Sequence, residues 1–232
     1  MTMEVNLLGT HQVLQAAVDE QVERFIHFST SEVYGPFVHK GKESDLTAVG
    51  SPGEARWAYG ASKLASEHLA FAYWREYGLP VVIVRPFNIY GPRQVGEGAI
   101  RAMVLRALAH QPITLYNDGT QIRAWCFVED FIDGVLRCLE RPEAVGQVFN
   151  LGNPQGTMTN LELARMVRRL ADSNSEIVFQ EHPGPEVEIR VPSIEKPGEL
   201  LGYVPQVSLE DGIQRTVTWY RDHVALVSVG RL

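Results

Sequence analysis

Tyr59 and Lys63 stand four residues apart in Tyr59-Gly60-Ala61-Ser62-Lys63. On a helix that spacing puts a phenol and an ammonium on one face. A nearby cation lowers a phenol's pKa from about 10 towards neutrality, and the resulting tyrosinate is a usable base towards a hydroxyl. Upstream, Ser29-Thr30-Ser31-Glu32-Val33-Tyr34-Gly35 gathers three hydroxyls and a carboxylate. Downstream, Arg85-Pro86-Phe87-Asn88-Ile89-Tyr90-Gly91-Pro92-Arg93 follows an apolar run. Arg101 and Arg123 lie in a segment rich in aliphatic and aromatic residues. A guanidinium beside Ile122, Trp125 and Phe127 needs a partner, either a buried acid or a diphosphate.

Each motif also has a plainer reading. Eight tyrosines and four lysines in 232 residues make a chance Tyr-x-x-x-Lys pair unsurprising. An amphipathic tyrosine with a solvated lysine fits that spacing as well. Serine and threonine favour strand ends as turn formers, and Asn88 suits a turn as readily as a ligand.

The elements around these residues give them a shared location. Residues 5–19 show helical spacing through Val5, Leu8, Val13, Leu14 and Ala17. Arg24 to Ser29 reads as a short buried strand that ends at the hydroxyl cluster. Residues 36–55 hold proline, glycine, serine and charge, and read as a surface loop. Residues 57–77 read as a long amphipathic helix with Leu64, Ala65, Leu69, Ala72 and Tyr73 inward, stopped by Gly78. Val81-Val82-Ile83-Val84 is the β-branched run of a strand buried on both faces of a parallel sheet. Strand, helix and strand make a βαβ unit, which puts both polar clusters at the carboxyl edge, where open α/β sheets bind ligands. Further on, helices are expected over 98–109, Phe127–Arg141, Thr159–Leu170 (opened by a capping box), Ile194–Leu201 and Leu209–Asp222. Strands are expected at Ile113–Tyr116 and Val148–Gly152.

A net charge of −7 argues against non-specific nucleic-acid binding. It leaves room for an anionic ligand, since 17 of the 21 basic residues are arginine. Cys126 and Cys138 lack metal-finger spacing and read as buried thiols. No metal site is expected. No apolar run is long enough to span a bilayer, and the expected location is cytoplasmic.

In order along the chain, Asn6-Leu7-Leu8-Gly9-Thr10, STSEVYG, YGASK, RPFNIYGP, the FNLGNP stretch at Phe149–Pro154, and Pro192–Lys196 through Glu199–Gly202 resemble the extended short-chain dehydrogenase/reductase superfamily. The similarity is to its nucleotide-sugar epimerases, dehydratases and decarboxylases. The resemblance implies an α/β fold: part of a doubly wound, Rossmann-like parallel sheet with a small C-terminal substrate lobe. Residues 1–95 would belong to the dinucleotide-binding domain and 96–232 mainly to the lobe, with 147–171 returning to the sheet. It implies NAD as cofactor, a UDP-sugar as substrate and a homodimer for the full-length protein. Tyr59 would be the catalytic base, and Lys63 would lower its pKa and bind the nicotinamide ribose. Ser29 and Pro86 would also lie against the cofactor, and Thr30 would bond the sugar O4. Ser31, Asn88, Arg101 and Arg123 would hold the substrate, the last three at its diphosphate. Glu32 and Arg190 would serve the reaction, and Arg190, matching an arginine proposed as a proton donor in some decarboxylases, would also contact the substrate.

Within that family, Ser31 stands where glucose dehydratases carry an aspartate, which disfavours dehydration. Thr30-Ser31-Glu32 and Arg56 are similar to the pattern of UDP-glucuronate decarboxylases, the preferred reading. UDP-hexose 4-epimerase is the alternative, followed by a 4,6-dehydratase and by a fragment that binds a nucleotide sugar without turnover. The family pattern opens on a strand and G-x-x-G-x-x-G, whose helix N-terminus holds the pyrophosphate. No such loop stands in this chain. By that pattern roughly the first 80 to 90 residues are absent.

Overall fold

A computed structural model describes residues 1–182, 184 and 186–223. A wide turn at Glu4–Leu8 leads into α1 (Gly9–Asp19), β1 (Phe25–Phe28), a 3₁₀ turn at Ser31–Tyr34, β2 (Phe37–Gly41), α2 (Trp57–Tyr77), β3 (Val81–Pro86) and β4 (Ile89–Tyr90). Next come α3 (Ala99–Leu108), β5 (Ile113–Tyr116), β6 (Ile122–Ala124), β7 (Cys126–Phe127), α4 (Val128–Glu140), β8 (Gln147–Leu151), β9 (Thr157–Thr159) and α5 (Asn160–Leu170). The chain continues through β10 (Ile177–Gln180), β11 (Ile189–Pro192), α6 (Glu195–Leu201) and α7 (Leu209–Asp222).

The first sheet has the order β1-β3-β8, all parallel. Its centre is the β-branched run, and strand alternation explains why that run has no polar face. Val81 and Ile83 pack with Leu14, Ala17, Ala70 and Tyr73 from α1 and α2. Val82 and Val84 point the other way, onto Cys138, Phe149, Leu151, Leu201 and Tyr203. All four are fully buried. The crossover from β1 through α2 to β3 is the expected βαβ unit. Gly78 ends α2 in the left-handed region at φ 71°, and its N–H bonds Trp74 O. There a Cβ would be strained.

A second sheet has the order β2-β11-β6-β9. β2 and β6 run parallel to β11, and β9 is antiparallel to β6. The pair β5 and β10 lies on a separate core built from α3, α5 and α7, including Ile100, Val104, Leu163, Val167, Ile213 and Val217. Of residues 147–171, β8 joins the first sheet while α5 packs in this second core.

Two expectations need correction. Residues 36–55 are not all loop, because Phe37–Gly41 forms β2. Only Val38 and Gly41 of that strand are buried, so its pattern is faint, and its partner β11 lies 150 residues on. The buried stripe of α2 is also different: it runs through Ser62, Ser66, Glu67, Ala70 and Tyr73, while Leu64, Ala65, Leu69 and Ala72 are half-buried. Polar residues occupy the inner stripe because each finds a hydrogen-bond partner.

Candidate active site

The carboxyl ends of β1 and β3 carry the polar segments. After β1 the chain turns at Thr30, whose hydroxyl accepts from Glu32 N at 3.2 Å and so caps the 3₁₀ turn. That turn holds Glu32 half-buried, facing outward. Ser31 is buried in the same turn. Ser29 is 4% exposed and its hydroxyl has no hydrogen-bond partner. Pro86 is the last residue of β3.

Tyr59 lies in the first turn of α2 and is 41% exposed. Burial raises its pKa above the ordinary phenol value, the Thr30 hydroxyl pulls it down, and the Glu32 charge raises it further. Lys63 follows on the same helix face. Its ammonium donates to Phe28 O at 2.9 Å, and burial lowers its pKa. The phenol in this state is therefore protonated at neutral pH.

Neighbouring elements fix the placement of this pair. Ser62 Oγ donates to Tyr59 O at 2.7 Å and accepts from Asn6 Nδ2 at 3.0 Å. Ser66 Oγ donates to Lys63 O at 2.8 Å and meets His27 Nε2 at 2.9 Å. A hydroxyl has one proton, so His27 must donate here, and its neutral ring carries hydrogen on Nε2. Burial and then the Lys63 charge lower the His27 pKa to about 4, against the pull of Glu67.

Beside Glu32 opens a cavity of about 580 Å³, lined among others by Glu32, Arg56, Asn88, Arg123, Trp125 and Asn160. Asn88 sits in the left-handed region at φ 44° and donates Nδ2 to Ala124 O at 2.9 Å. Its Oδ1 makes no hydrogen bond among the described residues. Arg123 donates to Ile122 O, Glu188 O and Val187 O. Burial lowers its pKa to about 10, helped by the neighbouring charge of Arg190. Arg190 is 4% exposed, pairs with Glu32 through Nη1 and donates Nη2 to Gly35 O at 3.0 Å. It lies behind Glu32 rather than in the cavity wall. Arg56 Nη2 approaches Glu32 at 3.6 Å. Trp125 Nε1, Asn160 Oδ1 and Arg56 Nε are buried without a partner. Arg56 and Arg123 stand against Glu32 and Glu97 in this wall; with Arg190 paired to Glu32 from behind and open hydrogen-bonding capacity left, the cavity can take an anionic polar ligand.

The structure thus brings Glu32, Asn88 and Arg123 into one cavity wall, with Thr30, Tyr59 and Arg190 gathered at the Glu32 turn. It does not bring Arg101 there: that side chain lies against Tyr220 of α7, and its Nε is unpartnered. The motif reading passed over a buried network beneath the site. Arg85 makes two bonds to Glu67, at 2.8 and 2.6 Å, and one to Tyr34 Oη at 2.7 Å; Tyr34 donates on to Asn150 Oδ1 at 2.9 Å. The signal was present, since an arginine ending a fully apolar strand calls for a buried acid.

A profile of the NAD dependent epimerase/dehydratase family matches residues 1–152. UDP-glucuronic acid decarboxylase 2 of Arabidopsis thaliana is 39% identical over 226 residues, covering 96% of this chain and 50% of the plant protein. The dTDP-glucose 4,6-dehydratase of Neisseria meningitidis is 34% identical over 243 residues, covering 95% of this chain and 67% of that one. Among solved structures, the UDP-glucuronic acid 4-epimerase of Bacillus cereus, in complex with UDP-glucuronic acid and NAD, superposes with a TM-score of 0.86 at 31% identity. That match covers 94% of this chain and 67% of the epimerase. The chain spans about half the length of the plant relatives it matches.

Proposed function

The chain belongs to the NAD-dependent epimerase/dehydratase family, and from that premise we propose that its site serves an enzyme that modifies a nucleotide sugar through a transient 4-ketone. The substrate is a UDP-sugar, and the preferred reaction is decarboxylation of UDP-glucuronate. One observation carries this reading. Glu32, paired with Arg190 from behind, joins the Thr30–Tyr59 pair to a cavity of about 580 Å³ lined by Arg56 and Arg123.

NAD, when bound, supplies the acceptor and donor of hydride. The orphaned Ser29 hydroxyl, Lys63, Tyr59 and Pro86 suit its nicotinamide end. Tyr59 takes the proton of the sugar 4-hydroxyl, and Thr30 orients that hydroxyl. Arg123 supplies positive charge for the diphosphate, and Asn88 offers its free amide oxygen to a hydroxyl. A 4-ketone makes the C6 carboxylate that of a β-keto acid. The C5–C6 bond then breaks with its electrons moving towards the ketone, and CO₂ leaves. Glu32 is the member of its ion pair that faces the cavity, and it orients the water that returns a proton to C5.

The likeness to a UDP-glucuronate 4-epimerase at a TM-score of 0.86 favours a second reading, in which the 4-ketone turns over and the carboxylate stays. The full gene product, incubated with UDP-glucuronate and with UDP-glucose, separates the two. CO₂ and a pentose product are expected from the first substrate, and Tyr59→Phe should slow the reaction by about 10²-fold or more. A C4 epimer with all its carbon retained would replace decarboxylation by epimerisation.

A further inference from the structure

Three guanidiniums gather around Glu32, and they differ in what they have left to give. Arg190 has its two terminal nitrogens on Glu32 and Gly35 O and is buried. Arg123 faces the cavity, but its terminal nitrogens are taken by three backbone carbonyls. Arg56 also lines the cavity, and among the described residues it makes no hydrogen bond. Its one polar contact is the 3.6 Å approach to Glu32, and its Nε is buried without a partner. A guanidinium carries five donors in a planar fork suited to a carboxylate, and here the fork is unused.

Its position gives the fork a target. Arg56 has helical dihedrals, φ −50° and ψ −41°, immediately before α2. It stands three positions before Tyr59, so the two share a helix face. A substituent on the carbon next to the one whose hydroxyl meets Tyr59 would fall on that face. In a hexuronate that substituent is the carboxylate. Of the two carboxylates in the cavity wall, Glu32 and Glu97, the one beside Arg56 is Glu32, and Arg190 already answers it. We infer that Arg56 anchors the carboxylate of an acidic sugar and thereby selects nucleoside diphosphate uronates over neutral hexoses. This rests on the nucleotide-sugar reading above and holds for either fate of the 4-ketone.

The test is calorimetric titration of UDP, UDP-glucose and UDP-glucuronate into the chain and into Arg56→Gln and Arg56→Lys. UDP-glucuronate is expected to bind about tenfold or more tightly than UDP-glucose, the scale of a charge-assisted hydrogen bond. Arg56→Gln should abolish that preference and leave UDP affinity within about twofold. Arg56→Lys should keep part of it, as a charge without the fork. Equal binding of the two sugars by a chain that binds UDP would overturn the inference and leave the nucleotide-sugar reading standing. An equal loss for all three ligands in Arg56→Gln, with an unchanged circular dichroism spectrum, would make Arg56 a diphosphate contact and also overturn it. No binding of UDP in any form would remove the nucleotide-sugar reading itself.

Discussion

Tyr59 and Lys63 lie on one helix face as their spacing requires, and the ammonium donates to the backbone of β1 at Phe28 O. The phenol is left with burial and Glu32 pushing its pKa up, so it becomes a base only when a further positive charge arrives or the Glu32 charge is masked. His27 belongs to the same positioning system, because its ring grips the serine that holds Lys63 O. It carries a pH signature of its own. The folded pKa is about 4 and the unfolded one 6.5, so between those values the unfolded chain binds more protons, and stability rises with pH. The contribution is complete above about pH 6.5 and is lost as pH falls to 4, on the order of 3 kcal/mol. Urea unfolding of the chain and of His27→Phe across pH 4 to 7.5 should show the wild type losing stability faster on acidification. Parallel curves would mean that His27 is not held neutral by its surroundings.

The helix α2 and the strand β3 are joined through the interior by charge as well as by apolar packing. Glu67 and Arg85 are both buried and doubly bonded, and Tyr34 extends the network to Asn150 on β8. With Phe87, Val33 and Val38, Tyr34 forms a small core whose members adjoin Glu32 and Asn88 in sequence. Removing one partner strands a buried charge: Glu67→Leu should cost about 3–5 kcal/mol. The double change Glu67→Leu with Arg85→Met should recover at least half of that loss. Urea midpoints decide it, and a single variant within about 1 kcal/mol of wild type would show the pair to be dispensable. The same elements show what a sequence displays. β3 and α4 are legible because their patterns are local and one-sided in chemistry: a β-branched run in one, a periodic apolar stripe in the other. Tyr59, Thr30 and Glu32 are legible because strand ends and helix turns are local too. β2 and β11 are not, since each becomes a strand only by pairing across 150 residues. Nor is the inner stripe of α2, where Ser62, Ser66 and Glu67 look solvent-facing until Asn6, His27 and Arg85 are brought to them.

At the scale of the whole molecule, the first sheet ends at β1, which among the described residues pairs on one side only. The elements near that edge carry exposed apolar side chains. Leu8 and Val13, Phe28, and Ile132, Leu136 and Leu139 of α4 are all exposed. An open parallel edge flanked by bare aliphatic faces favours association, so the purified chain should elute larger than 25.9 kDa on gel filtration. The same distribution of parts limits cofactor binding. Ser29, Tyr59, Lys63 and Pro86 can meet a nicotinamide riboside. The diphosphate and adenosine of NAD need a glycine-rich turn opening a helix, where N–H groups and the helix dipole meet the phosphates. The sequence of 232 residues contains no such turn. Contacts at one end alone leave most of a dinucleotide unbound while the loss of its rotational and translational freedom is undiminished. The 232-residue chain by itself is therefore expected to bind NAD with a Kd above about 1 mM, less than about 4 kcal/mol of binding free energy, while UDP, whose proposed site is carried on β6 and the Asn88 turn, is expected to bind far more tightly. Titrating both ligands into the same preparation makes UDP the internal control for a folded site. Micromolar affinity for NAD would show that a pyrophosphate cradle exists elsewhere in this fold, and would contradict the assignment of cofactor binding to the nicotinamide end alone.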